Sequence, residues 1–115
     1  MQQHEKVAKL VGWFAKAAVR HAEAMEAMAE DLAAAEVADL NRYYSALERE
    51  DGVEELLRLL EDPDPVVAGM VAVYAIREAP ERCLATLTVI ARQPGLLGFR
   101  AQTALERWES GEWQK

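Results

Sequence analysis

Apolar residues recur at three- and four-residue intervals along most of the chain, which is the spacing of one face of an α-helix. At the start this spacing predicts one long helix over residues 4–32, whose inward stripe extends through Met25, Met28 and Leu32. The alternative is a bend or break near "DLAAAE", because such a helix is long for a small domain. A second helix is predicted over residues 35–50, with Val37, Leu40, Tyr44 and Leu47 on its buried stripe. The first part of the chain is therefore expected to form a helical hairpin.

Short breaks in the pattern separate the later helices. Asp51-Gly52 is expected to end the second helix, with Gly52 in the left-handed conformation that glycine adopts easily. Asp64 is expected to cap the helix that Pro65 begins, since proline suits the first helical position. The further helices are predicted over residues 53–61, 65–78, 80–92 and 96–110. The helix after Pro65 is apolar on most faces, which is typical of a central helix.

The proline-bearing corners belong to a repeated unit. Pro65 and Gly69 are matched 29 residues later by Pro94 and Gly98, and we expect the matched glycines to let helices pack closely. Helical units of this kind bury their faces by stacking on their neighbours. The predicted fold is all-α, a short right-handed α-solenoid of about six helices in one domain. Its parts are an N-terminal hairpin (4–51), two HEAT-like hairpins (53–78 and 80–110) and a tail (111–115).

The segment "LLEDPDPVVAGMVAVYAI" resembles a HEAT-type repeat, although Ala68 stands where such repeats commonly have a basic residue. The segments "LVGWF", "ADLNRYYSAL", "LLEDPDPVV", "APE" and "GLLGFRAQTALERWESG" follow in matching order over most of the chain. Together they resemble the small bacterial HEAT-like family known as domain of unknown function number twenty-nineteen. The resemblance implies a stand-alone helical domain with two HEAT-like hairpins, and it implies neither an activity nor catalytic residues.

Composition and charge narrow the classes of partner. The chain is 51% hydrophobic and 29% charged, as soluble globular proteins are, and its formal net charge is -7. This charge disfavours nucleic acid and anionic membranes as partners. No apolar run approaches the roughly 20 residues that span a bilayer, and lysines interrupt the apolar residues at the start. A cytoplasmic protein is the prediction, and the lone Cys83 agrees with a reducing compartment.

Most of the negative charge lies between residues 48 and 64. This acidic segment is interpreted first as a solvated helix surface with helix caps, and second as a partner-binding patch that would steer a basic protein. The acidic candidates for partner contact are Glu48, Glu50, Asp51, Glu54, Glu55, Asp62 and Asp64.

Two other stretches contain candidate binding residues. In "NRYY", Asn41 is expected on the buried stripe of the second helix, while Arg42 and Tyr43 face elsewhere. The first interpretation is structural: Asn41 fixes the helix register or satisfies a loop carbonyl, and Arg42 bridges to a neighbouring acid. The second is a small polar patch in which Arg42 and Tyr43 are candidates for partner contact. Trp108 and Trp113 are candidate interface anchors, because tryptophan is frequent in binding hot spots. The alternative is that these two tryptophans cover the open end of the last repeat.

No pattern indicates catalysis, a metal or a cofactor. His4, His21 and Cys83 have no helical ligand spacing, His21 lies on the inward stripe as a core histidine, and Cys83 is expected to be a packing residue. The sequence lacks a phosphate-binding glycine loop, G-x-S-x-G and H-E-x-x-H. The predicted function is a non-enzymatic protein-binding module, in its narrower form a toxin-neutralising immunity-type protein. The alternative is a structural or regulatory homo-oligomeric subunit.

Overall fold

The structure, a computed structural model, describes residues 2–113, and within them it contains helices and no strands. The elements are α1 (Gln3–Glu26), α2 (Glu30–Arg49), α3 (Val53–Leu57), a 3-10 helix (Arg58–Glu61), α4 (Pro65–Ala75), α5 (Pro80–Ile90) and α6 (Gly95–Glu109). The all-α prediction is confirmed. No helix in the described part of the chain combines the length and the apolar character that crossing a membrane requires.

The helices form two compact units, one ending at Arg58 and the other beginning at Leu59. The first unit contains α1 to α3, and α3 contacts both helices of the α1–α2 hairpin. The second unit contains α4 to α6, in which each helix contacts the other two. The single domain, its division into HEAT-like hairpins and the right-handed solenoid stay predictions.

Large apolar side chains from all three helices fill the core of the first unit. Those that are fully buried are Phe14, Leu40, Leu47 and Leu56. His21 is buried on the same face of α1, as the sequence predicted for a core histidine. The predicted inward stripe of the first helix is therefore confirmed as far as His21.

The predicted end of the first helix at Leu32 is wrong. The helix ends at Glu26, and Met28 adopts a left-handed φ of 57°. The amides of Met28 and Ala29 donate to the carbonyls of Met25 and Ala24, at 3.1 and 2.9 Å, which is the hydrogen-bond pattern of a Schellman motif. The apolar spacing continues through this turn, so the sequence pattern did not reveal it.

The turn also removes three residues from the predicted inward stripe. Met25 is exposed, and the exposed fractions of Met28 and Leu32 are 86% and 63%. The helix α2 begins at Glu30 instead of Ala35. Val37, which was expected in the core, is exposed.

The prediction of a left-handed Gly52 is also wrong. Asp51 takes the left-handed φ of 57°, and Gly52 has a φ of -106°. The Gly52 amide donates to the Leu47 carbonyl at 2.8 Å, so α2 ends in the same kind of motif as α1. A Cβ at residue 52 would lie 2.8 Å from Cγ1 of Val7. Glycine is needed here for the close approach to α1.

The second unit begins with the corner that its aspartates and prolines predicted. The Asp64 side chain accepts a hydrogen bond from the Val66 amide at 2.9 Å, and Pro65 is the first residue of α4. The Asp62 side chain accepts from the Asp64 amide at 2.8 Å. The helix ends at Ala75, earlier than predicted. The prediction for the start of this helix is confirmed to the residue.

The two glycines of the repeat have different neighbours. A Cβ at Gly69 would lie 3.3 Å from Cδ1 of Ile90, a side-chain atom of α5. A Cβ at Gly98 would overlap the backbone carbonyl oxygen of Gln93, in the corner before α6. Close helix packing therefore describes Gly69, whereas Gly98 is required by the chain that leads into its own helix.

Candidate interaction surface

Three pairs of side chains join α1 and α2 along one flank of their hairpin. On each helix the paired residues are seven positions apart, which keeps them on one side of the helix. The pairs are Lys6 with Glu50, Trp13 with Tyr43, and Arg20 with Glu36. Since the numbers rise on α1 and fall on α2, these pairs define an antiparallel register between the helices.

The outer two pairs are ionic and the central pair is aromatic. The Lys6 ammonium lies 3.0 Å from a carboxylate oxygen of Glu50, and Nε of Arg20 donates to both carboxylate oxygens of Glu36 at 3.1 Å. The hydrogen bond to Glu36 raises the pKa of Arg20. Gln3 adds a hydrogen bond from its side-chain amide to the backbone carbonyl of Glu50. Exposed ion pairs of this kind each contribute at most about 1 kcal/mol to the free energy of unfolding. Their main effect is therefore on the register of α1 against α2.

Trp13, Tyr43 and Arg42 form the centre of this flank, and we call them the aromatic patch. The ring centroids of Trp13 and Tyr43 are 5.8 Å apart with planes tilted by 41°, a favourable aromatic geometry. The Arg42 guanidinium lies 5.5 Å from the centroid of the Tyr43 ring and forms an ion pair of 2.9 Å with Asp39. Trp13 nevertheless keeps 47% of its surface exposed. The patch therefore presents a large, oriented aromatic side chain to solvent.

Cations extend the aromatic patch along α1. Lys6, Lys9 and Lys16 are three of the chain's four lysines, and their spacing around Trp13 places them on its side of the helix. Lys9 and Lys16 are exposed, and neither forms an ion pair with the residues that the structure describes. This flank is thus locally positive in a chain whose formal net charge is -7.

The structure assigns internal roles to several of the acidic candidates. Asp62 and Asp64 hold the corner before α4, and Asp51 occupies the left-handed position after α2. Glu50 pairs with Lys6, as described above, and a Glu55 carboxylate oxygen lies 3.4 Å from Arg58. Glu48 and Glu54 are exposed on the first unit. Several of these carboxylates therefore belong to turns and ion pairs of the fold.

The other predicted site residues divide between the two units. Arg42 and Tyr43 do lie away from the buried face and contact each other. Asn41 was expected on the buried stripe, and that prediction is wrong because Asn41 is exposed. The side chains of α2 that do reach the core are Ala33, Leu40 and Leu47. Asn41 directly follows Leu40, so its side chain is rotated by about 100° from the buried face of α2.

The two C-terminal tryptophans are less exposed than an anchor for a partner would require. Trp108 and Trp113 are both half-buried in the second unit. The Trp113 carbonyl accepts a hydrogen bond of 2.7 Å from Nε of Arg77, so Trp113 lies against the second unit. The exposed aromatic side chain of this unit is Phe99, with 68% of its surface accessible and Leu96 exposed three residues before it on α6.

Trp13 was not among the site residues predicted from the sequence. A signal was present, because Trp13 lies between the apolar stripe at Leu10 and Phe14 and the lysines at positions 9 and 16. An aromatic residue at the border of a charged helix face is a candidate for an interface. Its contact with Tyr43 was not visible, since that contact depends on where the hairpin turns.

The reactive groups of the described residues do not combine into a chemical site. No three His, Cys, Asp or Glu side chains in that part of the chain are arranged to hold a metal ion. Cys83 is fully buried, and its burial raises the pKa of the thiol to about 11. The thiol is therefore protonated at neutral pH and acts as a packing residue, as the sequence predicted.

The comparisons with known proteins add no relative. No protein-family model, no curated protein and no solved structure matches this chain. The resemblance to the small HEAT-like family therefore stays a prediction. A function for this chain has to be inferred from the aromatic patch of the α1–α2 hairpin.

Proposed function

We propose that this chain is a non-enzymatic protein-binding module whose contact surface is the aromatic patch of the α1–α2 hairpin. The observation that carries the proposal is the exposure of Trp13 beside Tyr43 and Arg42. Tryptophan, tyrosine and arginine are the residue types that most often dominate the free energy of protein association. Covering the exposed part of Trp13 removes further apolar surface from water, which favours binding.

The pairs between α1 and α2 also orient the aromatic patch before a partner binds. Trp13 and Tyr43 lie on two long helices whose register is set by ion pairs seven residues away on each side. A partner would find the aromatic rings already oriented, so little conformational entropy would be lost on association. The lysines beside Trp13 would increase the rate at which an acidic partner is encountered.

The toxin-neutralising form is a narrower proposal about the same module. It uses the acidic segment, of which Glu48 and Glu54 are exposed on the first unit. Exchange of both residues for glutamine is then expected to slow association with a basic toxin and to weaken its salt dependence. If the aromatic patch is the only contact surface, the same variant will bind its partner as fast as the wild type.

The alternative function is a homo-oligomeric structural or regulatory subunit. The observation that favours it is the exposed pair Leu96 and Phe99 on one face of α6. Sedimentation at micromolar concentration tests it, with Phe99→Ser as the variant expected to dissociate an oligomer. A wild-type protein that sediments as a monomer would contradict this alternative.

The main proposal is tested by the variant Trp13→Ala with Phe99→Ala as its matched control. Proteins bound by the purified chain in an extract of its native host would be identified, and their affinities measured with purified partners. Trp13→Ala is expected to lose at least about 2 kcal/mol of binding free energy, which is roughly 30-fold in Kd. Phe99→Ala, which removes an exposed aromatic ring from the second unit, is expected to bind like the wild type. A partner that binds Trp13→Ala with unchanged affinity would refute the proposal.

A further inference from the structure

An exposed glycine lies next to the aromatic patch, in the middle of α1. Gly12 lies nine residues after the first residue of this helix and fourteen before the last, and no atom lies within 4 Å of the position its Cβ would take. Glycine destabilises a helix interior relative to alanine. The fold therefore gives no steric reason for glycine at this position, in contrast to Gly52 and Gly98.

The neighbours of Gly12 are the groups that a partner would contact. Trp13 follows it directly, Lys9 precedes it by three residues and Lys16 follows by four, so both lysines adjoin it on the helix surface. Without a side chain at residue 12, the backbone of α1 is open to close approach between the two cations. The distance between packed helices depends on the side chains at their contact and is smallest where those are small.

We propose that Gly12 is the crossing point for an α-helix of an acidic protein partner, whose carboxylates pair with Lys9 and Lys16 while its body covers Trp13. This inference rests on the proposed function and specifies the class of partner. Lys9 and Lys16 are seven residues apart, which is about 10 Å along the helix axis. Carboxylates seven residues apart on the partner helix match this distance.

Charge selects the acidic partner over a second copy of this chain. If two α1 helices crossed antiparallel at Gly12, Lys9 of one copy would lie near Lys16 of the other. A parallel crossing would place each lysine near its own equivalent. Like charges at these distances disfavour both arrangements. An acidic helix instead neutralises two cations that form no ion pair with the described residues.

The probe for this proposal is a synthetic alanine-rich helical peptide with glutamate at seven-residue intervals, and the control peptide carries glutamine at the same positions. Binding is followed by the indole ¹H–¹⁵N resonances of the three tryptophans, with Trp108 and Trp113 as internal references. The glutamate peptide is expected to shift the Trp13 resonance selectively and to bind at least about tenfold more tightly than the glutamine peptide.

Two variants separate the parts of the proposal. Gly12→Ala is expected to raise the thermal midpoint of the protein and to weaken peptide binding at least about tenfold, so a loss of binding cannot be attributed to unfolding. The double variant Lys9→Gln with Lys16→Gln is expected to bind both peptides equally. Gly12→Ala with unchanged peptide affinity, or wild-type protein that binds both peptides equally, would overturn the proposal.

Other results of these binding experiments would also overturn or limit the proposal of an acidic partner helix. A Trp13 resonance that neither peptide shifts would overturn the proposal, as would one that shifts with protein concentration alone, which would indicate a second copy. Binding of duplex DNA in preference to the glutamate peptide would assign the lysines to a polyanion instead. If a natural partner is lost with Trp13→Ala and kept with Gly12→Ala, the proposed function holds and only this inference fails.

Discussion

Exchange of Gly98 for alanine is expected to destabilise the protein, although alanine is the better helix former. The added Cβ would overlap the carbonyl oxygen of Gln93 and lie 2.9 Å from its carbonyl carbon, and Ala91 contributes a second carbonyl oxygen at 3.3 Å. All three atoms belong to the backbone of the corner before α6, which Pro94 restricts further. A change of side-chain rotamer cannot relieve this overlap, so the corner itself must move.

The magnitude follows from two opposing terms. Overpacking that displaces backbone costs up to about 3 kcal/mol. Replacing glycine by alanine inside a helix returns about 0.5 to 1 kcal/mol. The expected net loss is about 2 kcal/mol of unfolding free energy. For a chain of this length that corresponds to a decrease of about 8 °C in Tm.

Two other glycines provide matched controls for the same substitution. Gly69→Ala brings the new methyl group 3.3 Å from a single side-chain atom of Ile90, so it is expected to stay within about 1 kcal/mol of the wild type. Gly12→Ala meets no atom within 4 Å and is expected to stabilise the protein by about 0.5 to 1 kcal/mol. The three variants therefore differ in the sign of the effect while the chemical change is identical.

The assay is urea unfolding followed by circular dichroism at 222 nm, with Tm as a second measurement. The slope of free energy against urea is expected to be unchanged, so the midpoint reports stability. A Gly98→Ala protein as stable as the wild type, or more stable, would refute the reasoning, because it would show that the Gln93 carbonyl does not limit this position. Equal losses at Gly69 and Gly98 would refute the distinction between side-chain and backbone neighbours.

Three further predictions concern single positions. Asp64→Ala is expected to cost about 0.5 to 2 kcal/mol in urea unfolding, since it leaves the Val66 amide without its cap, while Asp64→Asn should stay close to the wild type; equal losses in both would argue against the capping role. Cys83 is expected to react with a thiol reagent at neutral pH only when the protein unfolds, because burial raises the pKa of its thiol to about 11; rapid labelling of the folded protein would contradict this. Met28→Gly is expected to raise the unfolding free energy by up to about 1 kcal/mol, since the left-handed conformation suits glycine and the Met28 side chain is exposed; a loss of 2 kcal/mol or more would mean that Met28 is a core residue after all.

Local chemistry made one class of structural feature predictable. The corner before α4 follows from Asp64 and Pro65, because a capping side chain and a fixed proline φ act within a few residues of the chain. The burial of Phe14 and His21 follows from helical spacing alone. Such features need no knowledge of distant parts of the chain.

The C-terminal ends of α1 and α2 were not predictable in the same way, because the residue that turns the chain is neither glycine nor proline. Met28 and Asp51 take the left-handed conformation that a sequence reader assigns first to glycine. The error at Met28 shifted the predicted start of α2 from Glu30 to Ala35, whereas Asn41 was misplaced because it lies about 100° around the helix from Leu40. Gly52 is needed because Val7 approaches it closely, and this is a tertiary contact that the local sequence does not show.

The aromatic patch was only partly predictable. Arg42 and Tyr43 were selected from their position away from the apolar stripe, whereas the contact with Trp13 joins residues 30 positions apart. That contact depends on the register of two antiparallel helices, and the turn between them has to be located before this register can be worked out. An error of a few residues in the turn changes every cross-helix pair, so the partner of Tyr43 could not be read from the sequence.

The distribution of lysine has a practical consequence for experiments on this protein. Three of the four side-chain amines of the chain, those of Lys6, Lys9 and Lys16, belong to one side of α1. Amine-reactive dyes, cross-linkers and sensor surfaces will therefore attach mainly beside Trp13, and enzymes that acetylate lysine would act there too. Immobilisation through amines would mask the surface proposed for binding, whereas attachment through an engineered surface cysteine on the second unit would leave these lysines unmodified.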